Sequence, residues 1–316
     1  TIAIPDGTVV PTPTPTETPT ETTAPTDTPT ETATETPTET ETPTETPTET
    51  STPTETPIPT GYVVNSSADT DDGACDSLGQ GSGNQDCTLR EAIDAANLLG
   101  GAQTITFTIP PGDSGCSAAD VCTITLGERL PVVGDPAGLT IDGAGQSITV
   151  SGNNAVRLII VDSGAGLTLK NLTLADASIP GDNGGAIYNS GTLTVETSTF
   201  THNSSSGGAG IYNDGTLIVT NSTFSNNATT AQGGSIYNTT GGNATVEGSS
   251  FSGNTSAGVG GAIYNDIDAE LSVSGSTFTD NEAGDGGAIQ SSRANAQVTN
   301  STFTNNSATY WGGAIN

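Results

Sequence analysis

From residue 184 onward the chain repeats itself, and a repeat constrains the architecture more than any other feature of this sequence. One element reads Gly-Gly-Ala-Ile-Tyr-Asn. Its Ile recurs at Ile187, Ile211, Ile236, Ile263, Ile289 and Ile315, at intervals of 24 to 27 residues. A second element reads Ser/Thr-Phe-x-x-Asn, with Phe200, Phe224, Phe251, Phe278 and Phe303. Between them lies a short alternating strand: Leu193/Val195, Leu217/Val219, Ala244/Val246, Leu271/Val273 and Ala296/Val298. In all five copies the Val precedes the Phe by five residues. Alternation with period 2 is the strand signal. Each unit therefore holds three short β segments separated by Gly, Ser, Asn or Asp. One unit cannot enclose a core alone. Stacked, each coil adds one parallel strand to each of three sheets, advancing about 4.8 Å. Ile then lies on Ile, Val on Val and Phe on Phe. The expected fold is all-β, a right-handed parallel β-helix. The Leu-x-x-Leu-x-Leu pattern of a leucine-rich repeat is missing, and so is the 3.6-residue period of a helical one.

Upstream, less regular coils continue the pattern. Leu167, Leu169 and Leu174 reproduce the Leu–Val–Phe spacing. Ile141 with Ile148/Val150, and Ile124/Leu126, read as earlier coils, Ile105, Phe107 and Ile109 as another strand, and Tyr62–Val64 as the opening of the domain. Asparagines are as regular as the apolar residues. Asn203, Asn227, Asn254, Asn281 and Asn306 each follow a Phe by three, and Asn189, Asn213, Asn238 and Asn265 follow an Ile by two. Asn at a turn can bond up and down a stack, so a structural ladder is expected. N-glycosylation competes, because Asn203, Asn227 and Asn254 begin Asn-x-Ser/Thr sequons, but Asn281 keeps the position without one. The Gly before the Ile supplies backbone freedom at the corner. Tyr188, Tyr212, Tyr237 and Tyr264 should point opposite to the neighbouring Ile. Such a row is either a stacking surface for sugars or simple sheet decoration.

One helix is expected, over residues 88–99. Thr88-Leu89-Arg90-Glu91 is a capping box, Leu89, Ala92, Ile93 and Ala96 form one apolar stripe, and Gly100-Gly101 ends it. Its expected task is to cover the open end of the core. Four cysteines lie at Cys75, Cys87, Cys116 and Cys122, with no Cys-x-x-Cys spacing and no accompanying His. Two local disulfides, Cys75–Cys87 and Cys116–Cys122, are preferred on proximity among three connectivities, and they require an oxidising compartment.

Before the repeats the composition changes. Residues 11–60 contain 24 Thr, 12 Pro and 10 acidic residues, with no Lys or Arg. Nothing there can be buried to offset chain entropy. The segment is expected to be an extended stalk, stretched by proline and like charge, and such tracts are commonly O-glycosylated. The organisation is thus 1–10 as the end of an upstream segment, 11–60 as stalk and 61–316 as β-helix. The last divides into a capping region at 61–138, irregular coils at 139–183 and regular repeats at 184–316. The chain starts at Thr1 and stops at Asn316 inside a repeat, so it reads as a piece of a larger protein. More coils with a cap or anchor are expected beyond it, with end-to-end self-association as the alternative. Net charge is −30, with only 5 Lys+Arg, which excludes a basic nucleic-acid binder. No apolar run reaches the ~20 residues of a spanning helix.

Cys87-Thr88-Leu89-Arg90-Glu91-Ala92-Ile93, followed by Ala96-Asn97, resembles the signature of the CSLREAI-type domain, with Thr in place of Ser. The preceding Ala68-Asp69-Thr70-Asp71-Asp72-Gly73-Ala74-Cys75-Asp76 fits that family too. The GGAI and FxxN units are similar to the repeats of chlamydial polymorphic outer membrane proteins. The resemblance covers roughly residues 61–316. It implies a secreted or surface-attached bacterial or archaeal β-helix, adhesion for the chlamydial group, and no established activity for the CSLREAI domain.

Parallel β-helices also host polysaccharide lyases and hydrolases, which need carboxylate clusters with a nearby cation or His. The cations are Arg90, Arg129, Arg157, Lys170 and Arg293, the sole His is His202, and none sits in a recognisable acidic constellation. Asp182, Asp266 and Asp285 read as solvated turns. No catalytic or cofactor-binding residue is assigned. The one metal candidate is Ca²⁺ at Asp69, Asp71, Asp72 and Asp76 around Gly73, although the full Asp-x-Asp-x-Asp-Gly pattern and a distal Glu are missing. The expected function is a noncatalytic extracellular or cell-surface β-solenoid for adhesion or structural coating. Its partners would be envelope or matrix components, glycans among them, without nucleic acid or membrane insertion. The alternatives are a carbohydrate-active β-helix enzyme, as lyase or glycoside hydrolase, and a glycan-binding module.

Overall fold

Short alternating segments separated by Gly, Asn and Asp do wind into a right-handed parallel β-helix. The structure, a computed structural model, describes residues 61–73, 75, 86–118 and 120–316. The segments 1–10 and 11–60, and Asp76, lie outside the described residues. A valine sheet of nine strands runs from Gly61–Val64 to Asn295–Thr299. A phenylalanine sheet of nine runs from Cys116–Ala118 to Thr302–Thr304. An isoleucine sheet of six runs from Ile159–Val161 to Ile289–Ser291.

The expectation of three sheets needs correction, because each regular coil carries a fourth strand. It lies between the Phe and Ile strands, from Ser178–Asn183 through Ser204–Gly207 and Ala228–Gln232 to Ser307–Trp311. Its inward positions are Ser205, Thr229, Ser256 and Ala283, all buried. Small and hydroxylated residues carry no apolar alternation, so the pattern that reveals the other strands is silent here. This serine sheet also shifts register between Ser205 and Gly207, whereas the Phe strands pair without a break.

The stacking follows the sequence register. Ile187 pairs with Ile211, Val195 with Val219 and Phe200 with Phe224. Phe200, Phe224, Phe251 and Phe278 are fully buried, with successive ring centroids 4.7 to 4.8 Å apart. Burying each such side chain contributes about 1.5–3 kcal/mol before packing is counted. The strands are short because tight corners interrupt them. Between the valine and Phe strands the corner residue takes a left-handed conformation, at Asn171, Thr197, Asn221, Gly248, Gly275 and Asn300. Asn and Gly tolerate that region; β-branched Thr197, at φ 48°, does so at a steric cost. The expected freedom before the Ile is used at Gly184, where φ is 74°. At the following Gly185 a Cβ would run into the carbonyl of Ala209 in the next coil.

The helix spans Leu89–Leu99 behind the N-cap Thr88, with both halves of the capping box formed. Leu89, Ala92, Ile93 and Ala96 are buried in the same core cluster as Val64, Ile105 and Phe107. Its stripe thus closes the first coils, as the periodicity predicts. Toward the other end the core thins: Val298 and Phe303 are half-buried, and Tyr310 and Trp311 are 72% and 68% exposed.

Candidate functional site

Three groups of side chains depart from plain core packing: the polar ladders, the clamp around the helix, and the tyrosine row.

The ladder Asn residues are buried and fully engaged. Asn203 Nδ2 donates to Asn227 Oδ1 at 3.0 Å, Asn227 to Asn254 at 3.1 Å, Asn254 to Asn281 at 2.9 Å and Asn281 to Asn306 at 2.8 Å. The same amide reaches back to a Phe carbonyl, as Asn227 Nδ2 does to Phe200 at 3.0 Å. One Asn therefore satisfies backbone groups that the corner leaves without strand partners. Asn189, Asn213, Asn238 and Asn265 form a second ladder at 2.6 to 2.7 Å. Asn203, Asn227 and Asn254 are 0–1% exposed, so these sequons are structural positions and not open glycan acceptors. Sequence reasoning missed a third ladder. Ser198, Ser222, Ser249, Ser276 and Ser301 each accept the backbone N–H of the preceding coil's Ser, or supply that N–H, at 3.1 to 3.2 Å. Its signal was present: a Ser stands two residues before every Phe of the repeat.

The signature residues around the helix form a clamp. Glu91 Oε2 accepts from Thr88 N at 2.9 Å, and its Oε1 accepts from Asp72 N at 3.2 Å and Gly73 N at 3.0 Å. Arg90 is buried. Its Nη2 meets Asp69 Oδ1 at 2.7 Å and the Glu128 carbonyl at 3.0 Å, and its Nη1 reaches the Arg129 carbonyl at 2.9 Å. Asn97 bonds Val132 and Gly134. One helix thus fastens the acidic loop on one side and residues 128–134 on the other. The proximity pairing of the cysteines is met: Cys75–Cys87 ties the loop to the helix start. Cys116–Cys122 staples an antiparallel strand pair onto the end of the Phe sheet.

At the calcium candidate, Asp69 is engaged within the clamp. Its Oδ1 serves Arg90 and its Oδ2 accepts Gly127 N at 2.8 Å, so both oxygens are taken by protein donors. Asp71 and Asp72 are exposed, and Asp76 lies outside the described residues. Among the described residues no three His, Cys, Asp or Glu gather as a metal-binding group.

The tyrosine row points outward, as expected, but it is half-buried and not bare. Tyr188 and Tyr212 stack at 4.8 Å, while Tyr237 stands edge-on to Tyr212 at 5.0 Å. Asp266 is half-buried rather than a solvated turn, whereas Asp182 is solvent-exposed, as read, but lies on a strand and not in a turn. Asp266 accepts from both Tyr237 at 2.8 Å and Tyr264 at 3.0 Å. Asp182 pairs with Arg157 at 2.8 Å, and the guanidinium lies 5.4 Å from the Tyr188 ring centre. Burial pushes the Tyr237 phenol well above its ordinary range, and the bond to ionised Asp266 adds to that rise. Tyr264 is raised by the same two causes, with Ser292 opposing. Asp182 is pulled below the usual carboxylate range, first by the N–H of Asn183 and then by Arg157. The row therefore presents half-buried phenols with Arg157 at its upstream end. Asp285 instead accepts the Trp311 N–H at 3.2 Å, and His202 occupies a left-handed corner with its Nδ1 3.1 Å from Thr201 Oγ1.

With this geometry in place, residues 157–316 match the family described as the right-handed β-helix region. The chain belongs to that family. It contains both surface proteins and carbohydrate-active enzymes, and membership does not choose between them. A search of curated proteins and a search of solved structures each returned no match.

Proposed function

We propose that the protein is a noncatalytic extracellular or cell-surface β-solenoid, acting in adhesion or as a structural coat, with the tyrosine row as its glycan-contacting strip. The observation that carries the reading is the pair of disulfides fastening the cap, since such bonds persist in oxidising compartments. The Thr/Pro-rich segment at 11–60 suits a spacer holding the solenoid away from an envelope. The charged groups best suited to acid–base work have structural partners: Arg90 with Asp69, Arg157 with Asp182 and Lys170 with Glu196. Half-buried phenols beside a guanidinium suit apolar faces and hydroxyls of sugars.

The test is a glycan array with the full chain, run beside a turnover screen on acidic and neutral polysaccharides. Binding without turnover, lost in Tyr212→Ala, is the expected result. Release of reducing or unsaturated ends would replace this reading with the carbohydrate-active enzyme. Free thiols in protein taken from its native compartment would remove the extracellular assignment.

A further inference from the structure

The outer face of the phenylalanine sheet differs from every other surface of the solenoid. In five consecutive coils the strands Thr199–Thr201, Thr223–Ser225, Ser250–Ser252, Thr277–Thr279 and Thr302–Thr304 place a Phe inward and a hydroxyl residue outward on each side of it. All ten outward positions are Thr or Ser, and none is charged, in a chain with 35 acidic residues. The coils pair without a register shift, Thr199 on Thr223 on Ser250 on Thr277 on Thr302. The Phe rings beneath measure the repeat along the axis, 4.7 to 4.8 Å, and their planes diverge by only 4° to 8°. The sheet is therefore nearly untwisted here, which is unusual for a free sheet. Across each strand the two outward residues stand about 6.6–6.8 Å apart.

We propose that this face binds ice. Two straight rows of hydroxyls and methyls, at one repeat along the axis and another across it, make a flat rectangular net. Ice offers a neutral hydrogen-bonding lattice whose prism-face repeats lie close to both spacings. Thr suits such a contact. Its β-branched side chain is stiff at χ1, so the net is formed before binding. Its methyl orders the first water layer without bonding to it, and its hydroxyl both donates and accepts. Ser225 Oγ donates to Thr201 Oγ1 at 3.0 Å, so hydroxyls already align along the axis.

Charge argues for the same occupant. A lattice without net charge is matched by a face without charge, and the other faces fail that condition. The valine sheet turns Lys170, Glu196, Glu247 and Glu270 outward, and the serine sheet carries Glu282 and register shifts. The isoleucine sheet turns one middle residue outward per strand, Tyr in four strands, Ile160 in the first and Gln290 in the last, with no second row.

The test uses the full chain, fluorescently labelled, during slow growth of polycrystalline ice, beside a recrystallisation assay. The wild type should be enriched in the ice at least severalfold over an inert globular protein. The double variant Thr223→Lys/Thr277→Lys should lose that enrichment. The matched pair Thr194→Lys/Thr245→Lys, on the valine sheet, should keep it, and equal melting curves would show that both variants fold. Exclusion of the wild type from ice overturns the proposal, and so does equal loss in both variants. Retention on microcrystalline cellulose with no enrichment in ice also overturns it and assigns the face to a crystalline polysaccharide. The inference does not rest on the adhesion reading, because glycan binding and localisation are scored separately from ice incorporation.

Discussion

The capping region and the regular coils solve the same problem, the satisfaction of backbone and core at the edge of a parallel sheet, by opposite means. In the coils every device is repeated. A lost Asn amide or Phe ring has identical neighbours above and below, and the stack transmits only nearest-neighbour terms. Among the described residues of the cap the devices do not repeat from coil to coil: a buried Arg90, the Thr88 capping box, and the antiparallel strand pair at Cys116–Ala118 each stand alone. The difference teaches that damage in the coils should stay local, while damage in the cap should release a whole end.

The comparison is most directly challenged by its largest expected effect. Phe251→Ala removes a fully buried ring from the middle of the stack and should cost about 3–5 kcal/mol. Phe303→Ala, at a half-buried position, should cost clearly less in the same denaturant series. Equal losses would show that position in the stack does not matter and that the coils are not behaving as a one-dimensional array.

Arg90→Ala should cost roughly 3 kcal/mol, because Asp69 is left largely buried without its cation. Hydrogen exchange should then show residues 61–73 and 86–134 opening together while the Phe ladder from residue 200 stays protected. Uniform loss of protection across the chain would erase the contrast between cap and coils. Loss of either disulfide alone should cost about 2–3 kcal/mol, a value expected for short closed loops, with the same regional signature. A melting shift confined to the coils would contradict it.

The smallest effects concern pH. Burial alone would raise Asp113, but hydrogen bonds from Ser67 and Gly115 outweigh it and pull the carboxyl below its ordinary range. A depressed folded value gives stability that is present above the unfolded pKa of about 3.9 and is lost as pH falls through the folded value. Asp113→Asn should therefore weaken the protein at neutral pH and flatten its acid limb. Asp94 has the opposite sign: burial first, then Asp71, raise it, with Arg90 opposing. Its ionised form is disfavoured by folding, so Asp94→Asn should add a little stability at neutral pH and none in acid. Urea titrations at several pH values check both signs.

Much of this was legible without coordinates, and the reason is periodic repetition. A position recurring every coil must meet its own copy, so Ile, Val, Phe and Asn stacks follow from spacing alone, as do their inward phases. The helix was legible because Thr88 and Glu91 are a local signal whose bonds close within one turn. The fourth sheet was hidden because Ser205 and Thr229 lie inward at positions where the usual apolar signal is absent. The role of Asp69 was hidden for a different reason. Its partners Arg90 and Gly127 lie 21 and 58 residues away, so one guanidinium and one N–H supplied from elsewhere take up a carboxylate that reads locally as part of an acidic loop.

Sequence by itself determined the coil, its length, the stacked residues and the capped end, since each follows from contacts between copies or within one helical turn. Tertiary structure alone decided which polar groups are free to meet a partner. It engaged Asp69 and Asp266 with partners from other segments, left Asp182 at the surface in an ion pair, and placed Asn203, Asn227 and Asn254 in the interior. It also straightened the Phe sheet so that ten separate hydroxyl residues became one flat face. The physical reason is that stacking acts between neighbours and can be read along the chain, whereas exposure, planarity and charge pairing are sums over segments that only folding brings together.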